Sequence, residues 1–443
     1  MKSQILNTVK IAALTCLLSQ TAQAQTEVAN LRPYDKTGIN VFEAAKDTNA
    51  VFESLKIKWG AGFTQSFQNL KHKNAANNLY KISPGFNTAN ANLFMDVQLA
   101  DGIRLNLTSY LSSRHHNETW VKGGYIQFDK LPFKGQIWDN IMKYTTLKVG
   151  HSEINYGDQH FRRSDGGQTL YNPFVENYIM DAFATEIGGE VLVRNRGAFV
   201  VLGVSNGLIK GNIDSVLVTK NAQGAIIDDN QHKSPSIFGK VGYDTQLLDK
   251  VRVRVAASFY HNNSAGNNGN TLYGGDRAGS NYFMVLEPAV TGTPAAAPTY
   301  ASAAFSGRYN PGFSKKIDAL QFNTFAKAYG LELFGTYEIA KGRSNKETAT
   351  RDAKQFALEG VYRFGKDENL FVGARYNTVE AEVVAGAADS KINRTSFCAG
   401  WFLTKNILLK GEYTTQEYKN FAASDIRNGA KFDGYVIQAV VGF

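Results

Sequence analysis

The chain has 443 residues, of which 20% are charged, and its 48 basic and 39 acidic residues give a formal net charge of +9. The mean hydropathy is −0.28, and past residue 24 no run approaches the roughly 18 consecutive apolar residues that a membrane-spanning helix needs. The basic residues are spread along the chain without a block of about five or six like charges, which excludes a basic tail of the nucleic-acid-binding kind.

The first 24 residues have the pattern of a secretory signal peptide. Lys2 precedes an apolar core over residues 11–18, and Ala22-Gln23-Ala24 is the small-residue pattern that signal peptidases cut. We predict cleavage after Ala24 and therefore export from the cytoplasm. Residues 25–52 have mixed polarity, and we expect them to form a periplasmic N-terminal segment.

Residues 53–443 alternate apolar and polar side chains with a period of two. Near the start of this region Ile57 and Trp59 share one face of an extended strand, while Lys56 and Lys58 share the other. The alternation recurs in about 16 segments, and bacterial single-chain barrels have an even number of strands. It predicts an all-β fold, a transmembrane antiparallel β-barrel of about 16 strands with a range of roughly 14 to 18. A soluble secreted β protein is the alternative.

The connections between these segments differ in length. Gly365-Lys366-Asp367, Thr404-Lys405-Asn406 and Lys341-Gly342 are short enough for hairpin turns. The long connections are polar and span residues 152–181, 211–235, 261–280 and 288–314. We predict short turns at one end of the barrel and long surface loops at the other.

The chain ends in a strand-like stretch, residues 432–443. Tyr435, Ile437 and the terminal Phe443 fall on one face of this strand. The ending resembles the closing strand of bacterial outer-membrane β-barrels, in which such residues form the signal that the barrel-assembly machinery reads. The resemblance implies that this machinery is a partner, and we expect the last strand to pair with the first, around residues 53–67, so that the sheet has no edge.

Residues 152–181 combine charged with aromatic side chains in the longest connection of the first half. His160, Arg162, Arg163 and Asp165 are candidates for an inward loop that narrows the lumen. We single out Arg162 and Arg163 as an anion-facing patch, because guanidinium groups stay charged and bind phosphate or carboxylate through paired donors. The alternative is that the two arginines lie on a solvated loop or pack onto Asp165.

The alternation also predicts which charged side chains face the lumen. If the apolar rows face lipid, the inward cations are Lys56, Lys58, Arg104, Arg252, Arg254, Arg363, Arg375 and Lys410. The inward carboxylates are then Glu332, Glu338, Glu359 and Glu412. This balance leans toward anion preference, although a one-residue register error in a strand would exchange several of these residues. Ordinary lumen solvation with paired charges is the alternative.

Signals of enzymatic chemistry are weak. The sequence has no His-Glu-x-x-His pattern and no paired cysteines in the region after residue 24. His115-His116 is the only adjacent histidine pair, and its polar surroundings favour a surface loop over a metal site. We predict that the protein is not an enzyme and that it holds no cofactor and no metal.

Two further stretches resemble known channels. Residues 403–421 together with residues 432–443 resemble the phosphate-selective porins of Gram-negative bacteria, and residues 172–183 look like porin-like proteins of Bacteroidetes-type bacteria. The resemblance implies a roughly 16-stranded trimeric channel in the outer membrane with an arginine- and lysine-rich passage.

We therefore predict a passive outer-membrane porin for small hydrophilic solutes, leaning to anions such as phosphate. Its expected partners are the lipid bilayer, the barrel-assembly machinery and small solutes or anions, with a homotrimer implied by the resemblance and no nucleic acid. An outer-membrane uptake channel for hydrophobic or sugar ligands is the alternative, and a barrel lipid hydrolase is a weaker one.

Overall fold

The computed structural model describes most of the chain. The described residues are 28–47, 50–112, 118–207, 219–227, 233–266, 269–289 and 305–443. The predicted signal peptide with its cleavage site, and the His115-His116 pair, lie outside the described residues.

One large antiparallel sheet contains seventeen strands, of which Gly85–Phe86 has two residues. The other sixteen are long and are numbered in chain order. They are β1 Lys56–Lys73, β2 Asn90–Ala100, β3 Ile103–Leu111, β4 Trp120–Phe128, β5 Thr145–Glu153, β6 Thr185–Asn195, β7 Ala198–Ser205, β8 Ser236–Leu248, β9 Val251–Asn262, β10 Lys316–Ala328, β11 Leu331–Arg343, β12 Arg351–Phe364, β13 Leu370–Ala381, β14 Ser390–Thr404, β15 Ile407–Lys419 and β16 Lys431–Gly442. Each strand pairs with the next one along the chain.

The first and last long strands close the sheet into a barrel. β16 pairs with β1 in antiparallel register, with Phe63 opposite Val441. At the end of this seam the backbone N–H of Phe443 donates to the carbonyl of Ala61 at 3.0 Å, and the N–H of Ala61 donates back at 2.9 Å. The closed antiparallel barrel of sixteen long strands confirms the predicted fold, and the predicted pairing of the last strand with the first is confirmed as well.

The barrel is apolar outside and polar inside. Outward side chains such as Leu358 and Trp401 are each 50% exposed, whereas the inward Glu338, Asn377 and Gln438 are fully buried. This arrangement is the reverse of a soluble protein, and it suits a bilayer, where a closed barrel also leaves no backbone group without a partner. Among the described residues, no helix is long and apolar enough to cross a membrane.

Short turns occur at one end of the barrel, the turn end. Arg196 and Gly197 connect β6 to β7 with φ values of 49° and 89°, the left-handed conformations that tight hairpin turns require. Turns after β12 and β14 confirm the predictions at residues 365–367 and 404–406. The turn predicted at Lys341-Gly342 is wrong, because both residues belong to β11 and pair with β12.

The opposite end of the barrel, the loop end, carries the long connections, and two of them enter the lumen. The inward loop, residues 154–184, is buried throughout except at His160, Phe161 and Asp165. The connection from β9 to β10 joins it through residues 269–287, and it contains no long strand among the residues described there.

Residues 28–47, the N-terminal segment, also lie inside the barrel. Val28, Phe42 and Glu43 are buried, and Arg32 donates a hydrogen bond to the carbonyl of Phe161 on the inward loop at 2.8 Å. This corrects the expectation of a periplasmic segment for this part of residues 25–52. The reason is that its polar groups find partners on the inner wall, which the alternation within the strands does not reveal.

We expect that deletion of Phe443 reduces assembly of the barrel in the outer membrane severalfold. The deletion removes the last pair of backbone hydrogen bonds at the β1–β16 seam and an outward aromatic ring that is 52% exposed. The measurement is the amount of folded protein in outer-membrane fractions. Deletion of residues 384–387, in the connection between β13 and β14, is the control, and equal yields of the two variants would contradict the prediction.

Candidate functional site

The inward loop is held by polar side chains that project from the wall. The backbone N–H groups of Val175, Ile179 and Met180 donate to the side chains of Glu412, Asn377 and Gln355 at 2.9, 2.7 and 2.9 Å. A loop inside a barrel has no neighbouring strand, so its backbone groups need other partners. The inward polar residues of the wall supply those partners and fix the path of the loop.

Lys410 supplies hydrogen-bond partners for the carbonyl groups of the inward loop. Its ammonium donates to the carbonyls of Thr169, Asn172 and Phe174 at 2.8, 2.7 and 2.8 Å. Three donors on one nitrogen thus satisfy three acceptors of the loop. Lys410 therefore anchors the loop and does not face solvent.

Most of the predicted lumen cations are buried in similar contacts. Five are at most 4% exposed, namely Arg104, Arg254, Arg363, Arg375 and Lys410. Arg363 pairs with Glu332 and Arg375 with Glu359, each at 2.8 Å. These side chains point inward as the alternation predicts. Their burial corrects the expectation that they line a water-filled lumen, because the inward loop and the N-terminal segment occupy that space.

The other three predicted lumen cations are less buried. Arg252 is half-buried and pairs with Asp244 at 2.6 Å. Lys56 pairs with Glu53 at 3.0 Å, and Lys58 is half-buried on the same face of β1. Their inward direction agrees with the alternation, and their role as lining residues stays a prediction.

Arg162 and Arg163 diverge although they are adjacent. Arg162 lies 3.5 Å from Glu332 and 3.4 Å from Glu359 of the wall and is buried. Arg163 pairs with Asp181 at 2.6 Å. Burial alone would lower the pKa of Arg163, but Asp181 and a second nearby carboxylate raise it. Both guanidinium groups are thus engaged by carboxylates of the protein, which leaves no paired-donor patch of the kind predicted for an anion.

A buried charge cluster joins the N-terminal segment to the wall. Glu43 lies 2.8 Å from Arg254 and 3.4 Å from Lys240, and Asp158 of the inward loop lies 2.7 Å from Arg254 and 2.9 Å from Lys240. Burial by itself would raise the pKa of Glu43, but Lys240 and Arg254 hold it well below the ordinary value of 4.5. Two cations and two carboxylates therefore fix three parts of the chain to one another.

The space that remains inside the barrel is a cavity of about 290 Å³, the side cavity, between the inward loop and strands β2 to β6. Its lining on β4 extends from Lys122 to Gln127, and Asp129 and Thr146 continue it at the turn end. The loop packs against the opposite wall, from β10, where Asn323 accepts from the N–H of Asp158 at 2.8 Å, to β15, where Glu412 accepts from Val175. The cavity thus follows one side of the barrel over the height of β4.

Charged side chains of both signs line the side cavity. The basic residues are Arg32, Lys46, Lys122, Lys148 and Arg163, and the acidic ones are Glu43, Asp129, Glu153, Asp165 and Glu190. Of the candidates from the sequence, the cavity brings together His160, Arg163 and Asp165. Sequence reasoning did not select Lys122, Lys148, Glu153 or Arg32 as site residues.

The acidic and the basic residues of the side cavity differ in the partners that they contact. Four of the five acidic residues have a lysine or arginine within ion-pair distance, as in Lys148–Glu190 at 3.8 Å. The fifth, Glu153, lies 2.9 Å from His160, whose pKa is lowered by burial. Arg32 and Lys46 donate instead to backbone carbonyls, at 2.9 Å for Arg32 to Gly38. Among the described residues neither has a carboxylate within ion-pair distance.

Aromatic rings form much of the remaining lining. Tyr34 stacks on Phe94 with ring centroids 3.9 Å apart, and Arg32 lies 3.7 Å from the ring centroid of Tyr171. Burial raises the pKa of Tyr171 to about 12, so the hydroxyl stays protonated and donates to the carbonyl of Pro33. The cavity is therefore narrow, with rigid walls that combine rings and charges.

Features of enzyme sites are sparse in the part of the chain that the structure describes. No group of three or more His, Cys, Asp or Glu residues there could hold a metal ion. Gly203-Val204-Ser205-Asn206-Gly207 has the letters of a nucleophile elbow. Ser205, however, ends the wall strand β7, and its hydroxyl donates to the buried carboxylate of Glu186.

No protein-family model matches the chain, and no curated protein is similar to it. Similar solved structures include a loop-deletion variant of OmpT, an outer membrane protein of Vibrio cholerae, at 9% identity and a TM-score of 0.49, covering 88% of this chain and 100% of that one. An anion-selective porin from Comamonas acidovorans is 10% identical with a TM-score of 0.48 and the same coverage. OpdL of Pseudomonas aeruginosa is 11% identical, with a TM-score of 0.42 and coverage of 87% and 98%. All three TM-scores are below 0.5, and we infer no function from these similarities.

We expect that Glu43→Gln loosens the N-terminal segment. The substitution removes a buried carboxylate from Arg254 and Lys240, which costs about 2 kcal/mol, or about 30-fold in the opening constant. Hydrogen exchange measured by mass spectrometry should show faster exchange in residues 28–47. Glu53→Gln, at a residue that is largely exposed, is the matched control and should leave exchange unchanged. Unchanged protection in Glu43→Gln would contradict the role of the cluster.

The same segment should loosen only in acid. The pKa values of Glu43 and Asp158 are lowered in the folded chain, so their stabilising contribution is complete above the ordinary values of 4.5 and 3.8 and is lost as the pH falls toward the lowered values. Exchange of residues 28–47, corrected for the intrinsic pH dependence, should be constant between pH 7 and pH 4.5 and rise below. A rise that begins near neutral pH would contradict this assignment.

Proposed function

We propose that the protein is a narrow outer-membrane channel through which small hydrophilic solutes diffuse passively. The observation that carries the proposal is the side cavity, which follows the inner wall along β4 inside a closed barrel with an apolar exterior. Its polar and charged lining keeps solutes in contact with hydrogen-bonding groups. We also propose that no covalent step occurs and that no cofactor takes part.

The size of the cavity supports small solutes. A volume of about 290 Å³ has room for a cluster of water molecules or a small solute. A solute that crosses the barrel must therefore be small or displace part of the inward loop. Lys410, Gln355 and Asn377 anchor that loop, which favours a small solute over displacement of the loop.

We further propose a leaning to anions, phosphate among them. One support is the net charge, +9 for the full chain and 9 − 2 = 7 without Lys2 and Lys10 of the predicted signal peptide. The other is the pair Arg32 and Lys46 on the cavity wall, which have hydrogen bonds to carbonyls and no ion pair among the described residues. A cation that is held by carbonyl groups and has no direct ion pair leaves a positive potential in a low-dielectric passage, and such a potential attracts anions.

Arg32→Met should lower the anion-to-cation permeability ratio severalfold, because it removes the uncompensated charge. The measurement is the reversal potential of single channels in a planar bilayer under a salt gradient. Arg32→Lys keeps the charge and should keep the permeability ratio. Lys419→Met removes a charge at the exposed loop end and should also leave the permeability ratio unchanged. Absence of stepwise conductance would contradict the channel, and an unchanged ratio in Arg32→Met would contradict the anion leaning.

A second candidate function is an uptake channel for sugars, and the aromatic lining favours it. Tyr34, Phe94, Tyr125 and Tyr171 line the cavity, and apolar ring faces stack on the apolar faces of sugars. Liposome swelling with sugars and with anions of matched size separates the two functions. Faster swelling with sugars would favour this alternative.

The proposed setting follows from the same observations. The apolar exterior calls for a lipid bilayer as a partner, and the C-terminal Tyr435, Ile437 and Phe443 are outward-facing and exposed, as a signal for the barrel-assembly machinery requires. We propose the outer membrane as the location and a homotrimer as the assembly, with no nucleic-acid partner.

A further inference from the structure

The turn between β4 and β5 carries the helix α1, Gln136–Met142, and an unusual surface. Five large apolar side chains of this turn are exposed, namely Phe133 at 58%, Ile137 at 73%, Trp138 at 42%, Ile141 at 47% and Tyr144 at 41%. We call these five residues the turn patch. Such contiguous exposed apolar surface marks a contact with a partner or a membrane.

The turn patch is a fixed surface. Ile137 and Ile141 are four residues apart in the helix, which places them on one face, and Phe133 and Tyr144 lie just before and just after the helix. The ring centroids of Phe133 and Trp138 lie 5.7 Å apart. On another side of the helix Met142 is buried. The geometry thus holds the apolar face outward.

Lys46 fixes the end of the helix to the barrel. Its ammonium donates to the carbonyls of Met142 and, at 2.6 Å, of Thr145. These acceptors belong to the last turn of α1 and the start of β5, where carbonyl groups lack partners within the helix. The N-terminal segment thereby ties the turn patch to the turn end of the barrel.

The patch continues the outward face of the barrel. Alternation puts Thr145 on the same outward row of β5 as Val149, which is 55% exposed, whereas Thr145 is 8% exposed. The helix contacts β5, and its chain joins β5 at this residue. On the neighbouring strands Ile126 and Val193 are also outward and exposed. The apolar surface therefore extends from the wall onto the helix without a polar break at Thr145.

The charges around the patch match phospholipid head groups. Lys134 and Lys143 are exposed beside it, and the ammonium of Lys143 lies 5.7 Å from the ring centroid of Tyr144. Asp139 is the one acidic residue of the helix. Aromatic side chains with flanking lysines are the composition found at the boundary between head groups and acyl chains.

We propose that the turn patch inserts into the head-group region of the bilayer leaflet at the turn end of the barrel. Its partner is a phospholipid surface that contains anionic lipids, contacted by the apolar side chains below the head groups and by Lys134 and Lys143 at the phosphates. The helix then sets the depth and tilt of the barrel in the membrane. This inference depends on the apolar exterior and on no property of the side cavity.

Quenching of Trp138 by lipids tests the proposal. The full chain and its Trp138→Phe variant are reconstituted in vesicles of phosphatidylethanolamine and phosphatidylglycerol, with bromine on the acyl chains near the head group or near the chain end. The difference between the two proteins is the emission of Trp138. We expect bromine near the head group to remove about half of that emission and bromine at the chain end to remove less, because an interfacial helix lies shallow.

Two controls define the contrary results. The emission that remains in the Trp138→Phe variant comes from Trp59, Trp120 and Trp401. Bromine on the acyl chains should quench part of it, since Trp401 lies on the outward row of β14, and this shows that the barrel is inserted. Iodide in the aqueous phase should quench Trp138 weakly. The proposal is overturned if bromine leaves the emission of Trp138 unchanged. In that case, quenching by iodide would show that the patch lies in water. Absence of quenching by iodide would show that a second copy of the chain covers it.

Discussion

Every backbone polar group inside a membrane needs a partner, and this constraint governs both layers of the structure. In the wall, β16 pairs with β1 and leaves no free sheet edge, down to the pair between Phe443 and Ala61. In the lumen, the inward loop has no strand beside it, and inward side chains of the wall satisfy it instead. Lys410, with three carbonyl acceptors, is the clearest example.

The anchoring of the inward loop by side chains of the wall decides where the side cavity lies. The strands that hold the loop, from β10 to β15, project amides, carboxylates and cations whose atoms are used in its anchoring. Between the loop and strands β2 to β6 the side cavity remains, and Lys148 and Glu190 line it. The buried pairs such as Arg375–Glu359 are thus a means of positioning the loop. An open lumen lined by all inward charges would have had a different selectivity.

The sequence predicted the wall well and the interior poorly, for a physical reason. Side-chain direction in a strand has a period of two and is readable within a few residues, which is why Arg104, Arg254 and Lys410 were assigned inward as the structure has them. The contacts of an inward loop join residues far apart in the chain, as Glu43 with Lys240 and Arg254. Nothing local distinguishes Arg162, buried against the wall, from Arg163, which lines the cavity. Glu190 lies 3.8 Å from Lys148 in the side cavity, and alternation within a single strand gives no sign of such a contact.

The central claim is that solutes cross along β4 and β5 and not through the region under the inward loop. Cysteine substitutions in a Cys398→Ala background test it with two wall threonines, Thr146 in the side cavity and Thr414, which is fully buried beneath the loop. A charged thiol reagent added during single-channel recording should reduce the conductance of Thr146→Cys in a single step and leave Thr414→Cys unchanged. Block of Thr414→Cys with no effect on Thr146→Cys would contradict the account.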